Sequence, residues 1–292
     1  MGLAFGAIHG ARRGIGSDVA GSRPYRPGDD RDAIDWPASA RLSSARGTDE
    51  FIVREHFADE APRAVIVADR RPEMAMCGAE FPWLRKDEAM RVAAELIGES
   101  VAEARGLVGY LDHAEGGEQP FWRPPSSQTE RWAVSERHVH HPTFSAPPDT
   151  VERAFDFLST HRRAVPAGSF VFVLSDFLAG PPRDTWERAL DRNWDIVPVV
   201  IQDPVWEQSF PPLDAIVFPV AGPAGRRRLV RLQPGESERR RRKHEDRRDA
   251  LLGELTSLGM HPILVSSTDR EAIYHGFLNW SSEREFARGR AL

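Results

Sequence analysis

From residue 63 onward, short apolar runs alternate with helical segments, and this alternation limits the fold more than any other feature of the sequence. Each apolar run has the length and composition of a strand that is buried on both faces. Strands that alternate with helices are typical of a mainly parallel sheet with helices on both faces. We therefore predict a doubly wound α/β domain with strands at Ala64–Asp69, Leu107–Leu111, Phe170–Ser175, Ile196–Ile201, Ala215–Val220, Leu229–Leu232 and Pro262–Val265 and helices at 85–104, 149–163, 183–193, 236–258 and 269–279.

Two parts of this region have a different pattern. The strands predicted at 215–220 and 229–232 are separated by Ala-Gly-Pro-Ala-Gly-Arg-Arg-Arg, which predicts a hairpin with a Gly-Pro turn. Residues 112–148 are rich in Pro, Gly and His. For them we predict at most one weak strand, at Arg131–Ser135.

The first 60 residues lack the alternation. Residues 1–22 are rich in Gly, Ala and Ser without periodicity, which predicts an extended, flexible arm. Residues 23–60 are predicted to form a small appendage that ends in an edge strand near Phe51. The main α/β domain is predicted to span residues 61–285.

A dense corner of turn and charged residues runs from Arg23 to Arg41. Pro27-Gly28 is a turn signal, and Asp29 or Asp30 is expected to cap a short helix. Ile34 and Trp36 are expected to point inward. Asp35 is expected to pair with Arg41 across the corner.

Composition indicates an ordinary globular protein. The 292 residues are 40% hydrophobic and 28% charged, which is sufficient for a full core, and the net charge of −5 does not call for nucleic acid or an anionic membrane as partner. The single cysteine, Cys77, excludes an internal disulfide and fits a reducing compartment. No apolar run has the 18 residues of a membrane helix. We predict a cytoplasmic location.

The corner resembles the family called domain of unknown function 58, whose signature is Tyr-x-x-Gly-Asp, then Ile-Asp-Trp, then Ala-Arg. The matching residues are Tyr25, Gly28, Asp29, Ile34, Asp35, Trp36, Ala40 and Arg41. The Arg that usually stands two residues before the Ile is replaced by Asp32, with Arg31 beside it. The order of the elements extends the resemblance to residues 20–280 and implies a von Willebrand factor A-like domain. Many relatives carry two membrane helices before the signature, whereas no apolar run before Tyr25 is long enough for one. This chain therefore resembles the short, soluble form of the family.

The resemblance implies that Asp69 and Asp176 face each other, because the first and fourth strands of such a domain are central neighbours. Metal-binding A domains hold a divalent cation there with an Asp-x-Ser-x-Ser loop, a distant Thr and a second Asp, and hard oxygen ligands suit Mg²⁺ or Mn²⁺. In this chain Arg71 stands at the first serine position and Glu73 at the second. We expect an internal ion pair of Arg71 with Asp69 or Asp176. A metal site at Asp69, Glu73 and Asp176 is the alternative.

Other candidate sites have weaker patterns. His113, His138, His140 and His141 have a spacing that suits a transition metal, but they lack a Cys or carboxylate frame, and a solvated loop is expected. The basic segments Arg226–Arg228 and Arg239–Lys243 are balanced by nearby acidic residues, and a solvated face is expected. The sequence has no Gly-rich phosphate loop, no Gly-x-Ser-x-Gly elbow and no His-Glu-x-x-His helix.

These patterns predict a non-enzymatic interaction scaffold or adaptor. Its docking face is expected to have Asp69, Arg71, Glu73 and Asp176 at its rim. The family resemblance implies a partner, a MoxR-type AAA+ ATPase, and a role in assembling or maturing client complexes. The alternatives are metal-dependent, adhesion-type ligand binding at Asp69, Glu73 and Asp176, and phosphate or nucleic-acid binding by the arginine-rich segments.

Overall fold

The computed structural model describes residues 13–25, 34–47, 51–57, 61–76, 83–115, 119–126, 136–137, 143–213, 217–221 and 227–289. The chain divides into two compact units after Ala61. The described strands are β1 (Arg13–Pro24), β2 (Ile52–Phe57), β3 (Arg63–Ala68), β4 (Leu107–Asp112), β5 (Phe121–Ser126), β6 (Phe170–Ser175), β7 (Asp195–Ile201), β8 (Val217–Ala221), β9 (Arg227–Arg231) and β10 (Ile263–Val265). The helices are α1 (Trp36–Arg46), α2 (Lys86–Glu103), α3 (Thr150–Thr160), α4 (Arg183–Leu190), α5 (Glu236–Ser257) and α6 (Arg270–Gly289).

The larger unit is built on a six-stranded sheet with the order β10-β7-β6-β3-β4-β5. All neighbouring strands are parallel except β5, which is antiparallel to β4. The chain winds outward from β3 in both directions, which is the doubly wound order. The predicted doubly wound, mainly parallel α/β class is confirmed.

The sheet is covered on both faces. Alternate residues of β3 point to opposite sides, as the pleat of a strand requires. Ala64, Ile66 and Ala68 pack in a cluster with α2 and α6, whereas Val65 and Val67 pack with α3, α4 and α5. Strands buried on both faces must be apolar at every position, which explains why the runs were visible in the sequence.

The strand β5 was not predicted, and the physical reason is its composition. Pro124 and Pro125 cannot donate to a ladder, so such a segment pairs only at a sheet edge. It packs closely on β4, since a Cβ atom at Gly109 would lie 2.8 Å from the ring of Pro125. The strand expected at Arg131–Ser135 lies outside the described residues. The predicted hairpin is confirmed as the antiparallel pair β8 and β9, which forms a separate two-stranded sheet.

The smaller unit contains the antiparallel pair β1 and β2. The edge strand predicted after Phe51 is confirmed as β2. A flexible arm was expected at residues 1–22. This expectation is corrected for the residues from Arg13 onward, because they form β1. Irregularities in the register between Gly14 and Gly21 interrupt the two-residue period, so the sequence gives no clear strand pattern.

The signature corner is organised by Asp35. Its carboxylate accepts a hydrogen bond from Ala38 N at 3.1 Å and caps α1. The helix cap expected at Asp29 or Asp30 lies outside the described residues. The buried hydroxyl of Ser39 donates to Asp35 O and accepts from Ile52 N, which ties α1 to β2. Ile34 is half-buried and bridges to Val53.

Two expectations for this corner were wrong. Trp36 is 59% exposed, because the first residue of α1 lies at the rim of a small unit, where it contacts the Phe51 ring edge-on. Asp35 does not pair with Arg41, because its carboxylate caps the helix, and the exposed Arg41 side chain donates to Pro37 O instead.

The cap gives a first prediction. We expect Asp35→Ala to lower the free energy of unfolding by about 1 kcal/mol, since Ala38 N loses its acceptor. Urea unfolding followed by far-ultraviolet circular dichroism measures the change. Arg41→Ala is the control and should cost less than about 0.5 kcal/mol. Equal losses in the two variants would contradict the assignment of Asp35 as the cap.

Candidate functional site

Two buried carboxylates meet at the carboxyl edge of the sheet. The strands β3 and β6 are parallel neighbours with Ala68 opposite Leu174. Asp69 and Asp176 follow the ends of these strands, and both side chains are fully buried. The structure therefore brings together the two residues that the sequence places at neighbouring strand ends.

The guanidinium of Arg71 lies between these carboxylates. Its Nη2 atom is 2.6 Å from Asp69 Oδ2 and 3.0 Å from Asp176 Oδ1. Its Nε atom donates to both oxygens of Asp69 at 2.9 Å. Burial disfavours the charged guanidinium, but the hydrogen bond and charge of Asp69, together with Asp176, raise the pKa of Arg71 above its ordinary value. The predicted internal ion pair is confirmed.

Further donors satisfy the remaining lone pairs. The Ser175 hydroxyl donates to Asp69 Oδ2 at 2.6 Å, and Arg71 N donates to Asp69 Oδ1 at 3.1 Å. Leu178 N donates to Asp176 Oδ1 at 3.0 Å. A buried ion pair persists only when such hydrogen bonds offset its loss of hydration.

Lys86 and Glu207 extend the network. The ammonium group of Lys86 is 2.7 Å from Asp176 Oδ2 and 2.7 Å from Glu207 Oε1. Burial opposes the charge of Lys86, but the two carboxylates outweigh it and raise the pKa of Lys86. Burial also raises the pKa of Glu207, and the attraction of Lys86 only partly counters this effect. The network thus places two cations among three carboxylates.

The side chains around Asp69 and Asp176 do not fit a divalent cation. The guanidinium of Arg71 already contacts both carboxylates, and Lys86 contacts the second oxygen of Asp176. Within the described ranges, no group of three or more His, Cys, Asp or Glu side chains is arranged to hold a metal ion. Glu73 lies on a 3₁₀ turn, Pro72–Ala75, and acts on Arg71 through its charge. Positive groups at the centre of the site are repulsive to a cation.

Burial limits which of the predicted rim residues a partner can touch. Asp69, Asp176 and Arg71 are at most 5% exposed, and Glu73 is half-buried. The exposed surface beside them includes Pro72, Ala75 and Met76, the last of which is 37% exposed. A partner that approaches this edge would contact the surrounding loops rather than the ion pair itself.

A second buried ion cluster lies at the end of β4. Asp112 accepts hydrogen bonds from Arg137 Nε at 3.1 Å, Arg137 Nη2 at 2.9 Å and Ala114 N at 3.0 Å. The fully buried Arg70 has Nη1 3.5 Å from Asp112 Oδ2, and its nitrogens have no hydrogen-bond partner among the described residues. Its guanidinium lies 4.7 Å from the ring centre of Phe144. Asp112 is therefore the one buried carboxylate that these two arginines share, and the exposed Glu115 adds a longer contact of 3.5 Å to Arg137.

Arg70 and Arg71 connect the two clusters through the backbone. Arg70 directs its side chain to Asp112. The adjacent Arg71 directs its side chain to Asp69 and Asp176. Both follow β3, the central strand from which the sheet winds outward. Charge at this edge is thus compensated by the protein itself on both sides of the central strand.

Sequence reasoning missed Lys86, Glu207, Asp112 and Arg137. Asp112 is the last residue of β4, as Asp69 is the first residue after β3. The rule that ligands collect at the carboxyl ends of parallel strands could therefore have found Asp112 too. Lys86 lies in the first turn of α2, where the helix dipole disfavours a cation, and this conflict was a usable signal. Glu207 lies in the loop that follows β7, and no local pattern in the sequence marks either Glu207 or Arg137.

The remaining candidates are the histidines and the basic segments, and part of each set lies outside the described residues. Among the predicted histidines, only His113 is described; burial lowers its pKa and favours the neutral ring. In the basic part of α5, Arg240 pairs with Glu236, and Arg241 and Arg242 pair with Glu238, as a solvated face requires. None of the helices that the structure describes combines the length and apolar character needed to cross a bilayer.

Comparison with known proteins identifies one family. The family profile described as "Protein of unknown function DUF58" matches residues 21–247. A search of curated proteins finds no match.

Solved structures with a similar fold share little sequence with this chain. A conserved hypothetical protein, BatB, from Bacteroides thetaiotaomicron is 12% identical with a TM-score of 0.42, covering 76% of this chain and 99% of its own. An aerotolerance-related membrane protein from Bacteroides fragilis is 12% identical with a TM-score of 0.44, covering 75% and 99%. The pilus adhesin SpaC from Lactobacillus rhamnosus GG is 12% identical with a TM-score of 0.34, covering 79% of this chain and 30% of its own.

Proposed function

This chain belongs to the DUF58 family of proteins of unknown function, and from that membership we propose that it is a non-enzymatic interaction scaffold or adaptor. Its partner is a MoxR-type AAA+ ATPase, the partner class that the family resemblance implies. The complex assembles or matures client proteins. In this proposal the protein works in the cytoplasm, in agreement with its single cysteine.

One observation carries the proposal: Arg71 occupies the position between Asp69 and Asp176 at the carboxyl edge. In an open α/β sheet this edge is the usual place for ligands. Here its central carboxylates are neutralised by internal cations, so they neither hold a cation for a ligand nor act as free acids or bases. A surface of this kind supports binding by shape and peripheral contacts rather than chemistry.

The proposal is tested with a MoxR-type ATPase from the same organism. We expect the immobilised full-length protein to capture this ATPase and to change its ATP turnover when added in solution. Because no bound cation takes part in docking, capture in the absence of nucleotide should be the same with and without EDTA. An unrelated hexameric AAA+ ATPase is the control.

Two results would contradict the proposal. If the ATPase is neither captured nor altered in turnover, the assigned partner is wrong. If EDTA abolishes nucleotide-free capture and Mn²⁺ restores it, docking depends on a metal, and the alternative of metal-dependent ligand binding takes its place.

A further inference from the structure

A cleft of about 340 Å³ opens at the same edge of the sheet, beside the Lys86 end of the charge network. One wall comes from the segment before and at the start of α2, and the other from the loops that follow β7 and β10. The lining residues that matter for its chemistry include Trp83, Arg85, Asp203, Val205, Ser266 and Ser267. The structure describes every residue that lines the cleft, and all of these residues belong to the larger unit.

The apolar part of the cleft is accessible. Val205, in the loop that follows β7, is 48% exposed. Trp83 meets Trp206 edge-on with ring centres 5.6 Å apart, and this contact fixes one wall. A partly exposed apolar surface of this size accommodates one or two apolar side chains of a partner.

The carboxylates that line the cleft are already satisfied. Asp203 accepts hydrogen bonds from Leu84 N at 2.7 Å and from Val205 N and Trp206 N at 2.8 Å. Glu88 is paired with Arg91 at 2.6 Å. Neither acidic group therefore needs a cation from a ligand.

The hydrogen-bond donors that line the cleft have fewer close partners than the carboxylates have. The side chain of Arg85 is 39% exposed, and its nearest carboxylate oxygens, on Asp87 and Glu88, are 3.5 and 3.9 Å away. The hydroxyl oxygens of Ser266 and Ser267 accept from Gln208 Nε2 and Asp269 N, which leaves their hydroxyl hydrogens for another acceptor. The cleft thus combines an apolar wall with an incompletely paired guanidinium and hydroxyl donors.

We propose that this cleft binds a protein segment in which a carboxylate lies next to an apolar side chain. The carboxylate pairs with Arg85 and the Ser hydroxyls, and the apolar side chain packs on Val205 and Trp83. The inference rests on the proposed interaction function and adds to it the chemistry of the partner segment. The carboxylate belongs to an Asp or Glu side chain of the segment, and a free chain terminus is the competing source that the test separates from it.

Three labelled peptides distinguish these sources in a fluorescence anisotropy titration with the full chain. The first, acetyl-Gly-Leu-Asp-Leu-amide, carries a side-chain carboxylate. The second, acetyl-Gly-Gly-Leu-Leu with a free C-terminus, carries a terminal carboxylate. The third, acetyl-Gly-Leu-Asn-Leu-amide, is neutral and nearly identical in shape to the first. In each peptide a dye-labelled lysine, omitted from these names, stands between the acetyl group and the first glycine.

We expect the side-chain carboxylate peptide to bind about fivefold more tightly than the neutral peptide, a ratio at the upper end of the range for an exposed ion pair. Tighter binding of the terminal carboxylate peptide than of the side-chain carboxylate peptide would overturn the assignment of the side chain. Arg85→Gln should remove this advantage without changing the neutral peptide's affinity. Val205→Ser should weaken all three. Arg188→Gln is the matched control, because Arg188 is an exposed arginine paired with Asp184 that does not line the cleft.

Equal affinities of the neutral and carboxylate peptides would overturn the inference, as would unchanged binding by Arg85→Gln or no binding of any peptide. The ATPase experiment keeps this outcome separate from the proposed function. If the ATPase is captured equally by the wild type and Arg85→Gln and no peptide binds, only the cleft assignment fails. If the peptides bind as expected but the ATPase is not captured, the assigned partner fails.

Discussion

Replacing Arg71 with methionine is expected to lower the free energy of unfolding by about 3–5 kcal/mol, because two buried carboxylates lose the cation between them. Of these two carboxylates, only Asp176 would keep a cation, Lys86. Asp69 would keep the Ser175 hydroxyl and the backbone N–H of residue 71. Methionine retains most of the length of the arginine stem, so the change isolates the guanidinium. Guanidinium chloride unfolding at neutral pH measures it.

Two further variants make this result specific. Adding Asp69→Asn to Arg71→Met should recover part of the loss, since removing both charges costs less than leaving one buried alone. Arg183→Met is the exposed counterpart, because Arg183 is 52% exposed and pairs with Glu187, and it should cost less than about 1 kcal/mol. If Arg71→Met costs no more than Arg183→Met, the ion pair does not stabilise the edge.

Asp112→Ala is expected to destabilise the protein by a similar amount, about 3–5 kcal/mol. The substitution leaves the guanidinium groups of Arg70 and Arg137, which are 0% and 5% exposed, without their shared carboxylate. Asp112→Asn keeps the shape and the acceptor oxygen but not the charge, so its loss should be smaller. If Asp112→Ala costs less than about 1 kcal/mol, the two arginines are hydrated in solution and the cluster is not a buried one.

The same residue has a defined pH dependence. Burial by itself favours the protonated carboxyl, but hydrogen bonds from Arg137 and Ala114 and the charges of Arg137 and Arg70 lower the pKa of Asp112 below its ordinary value. A lowered folded-state pKa contributes stability above the unfolded value of about 4, and this contribution is lost as the pH falls below it. The stability difference between wild type and Asp112→Asn should therefore shrink between pH 6 and pH 3. A constant difference would exclude Asp112 as its source.

The sequence predicted the centre of the site because each of its parts has a local signal. Asp69 and Asp176 directly follow apolar runs, and parallel strands end at one edge. Arg71 was recognised because it replaces a serine in a known loop pattern. The outer part of the network was missed, since Glu207 reaches Lys86 across 121 positions of sequence, and only the folded chain brings the two together.

For the fold as well, the strands with a local signal were predicted and those without one were missed. Buried strands were predicted because both of their faces must be apolar, so that the run itself is the signal. The edge strand β5 and the bulged strand β1 depend on a partner backbone rather than on their own side chains, and neither was predicted. Trp36 was misplaced because a large aromatic residue was assumed to be buried, whereas a small unit has little interior to hold it.

The two outer strands of the main sheet affect how the protein behaves at high concentration. One edge is β5, whose Pro124 and Pro125 have no N–H group to offer, and the other is β10, which has only three residues. A strand from another molecule would find few ladder bonds at either border, and such borders resist fibril growth. The borders of the main sheet should therefore not seed cross-β aggregates in the concentrated stocks that weak-binding titrations require.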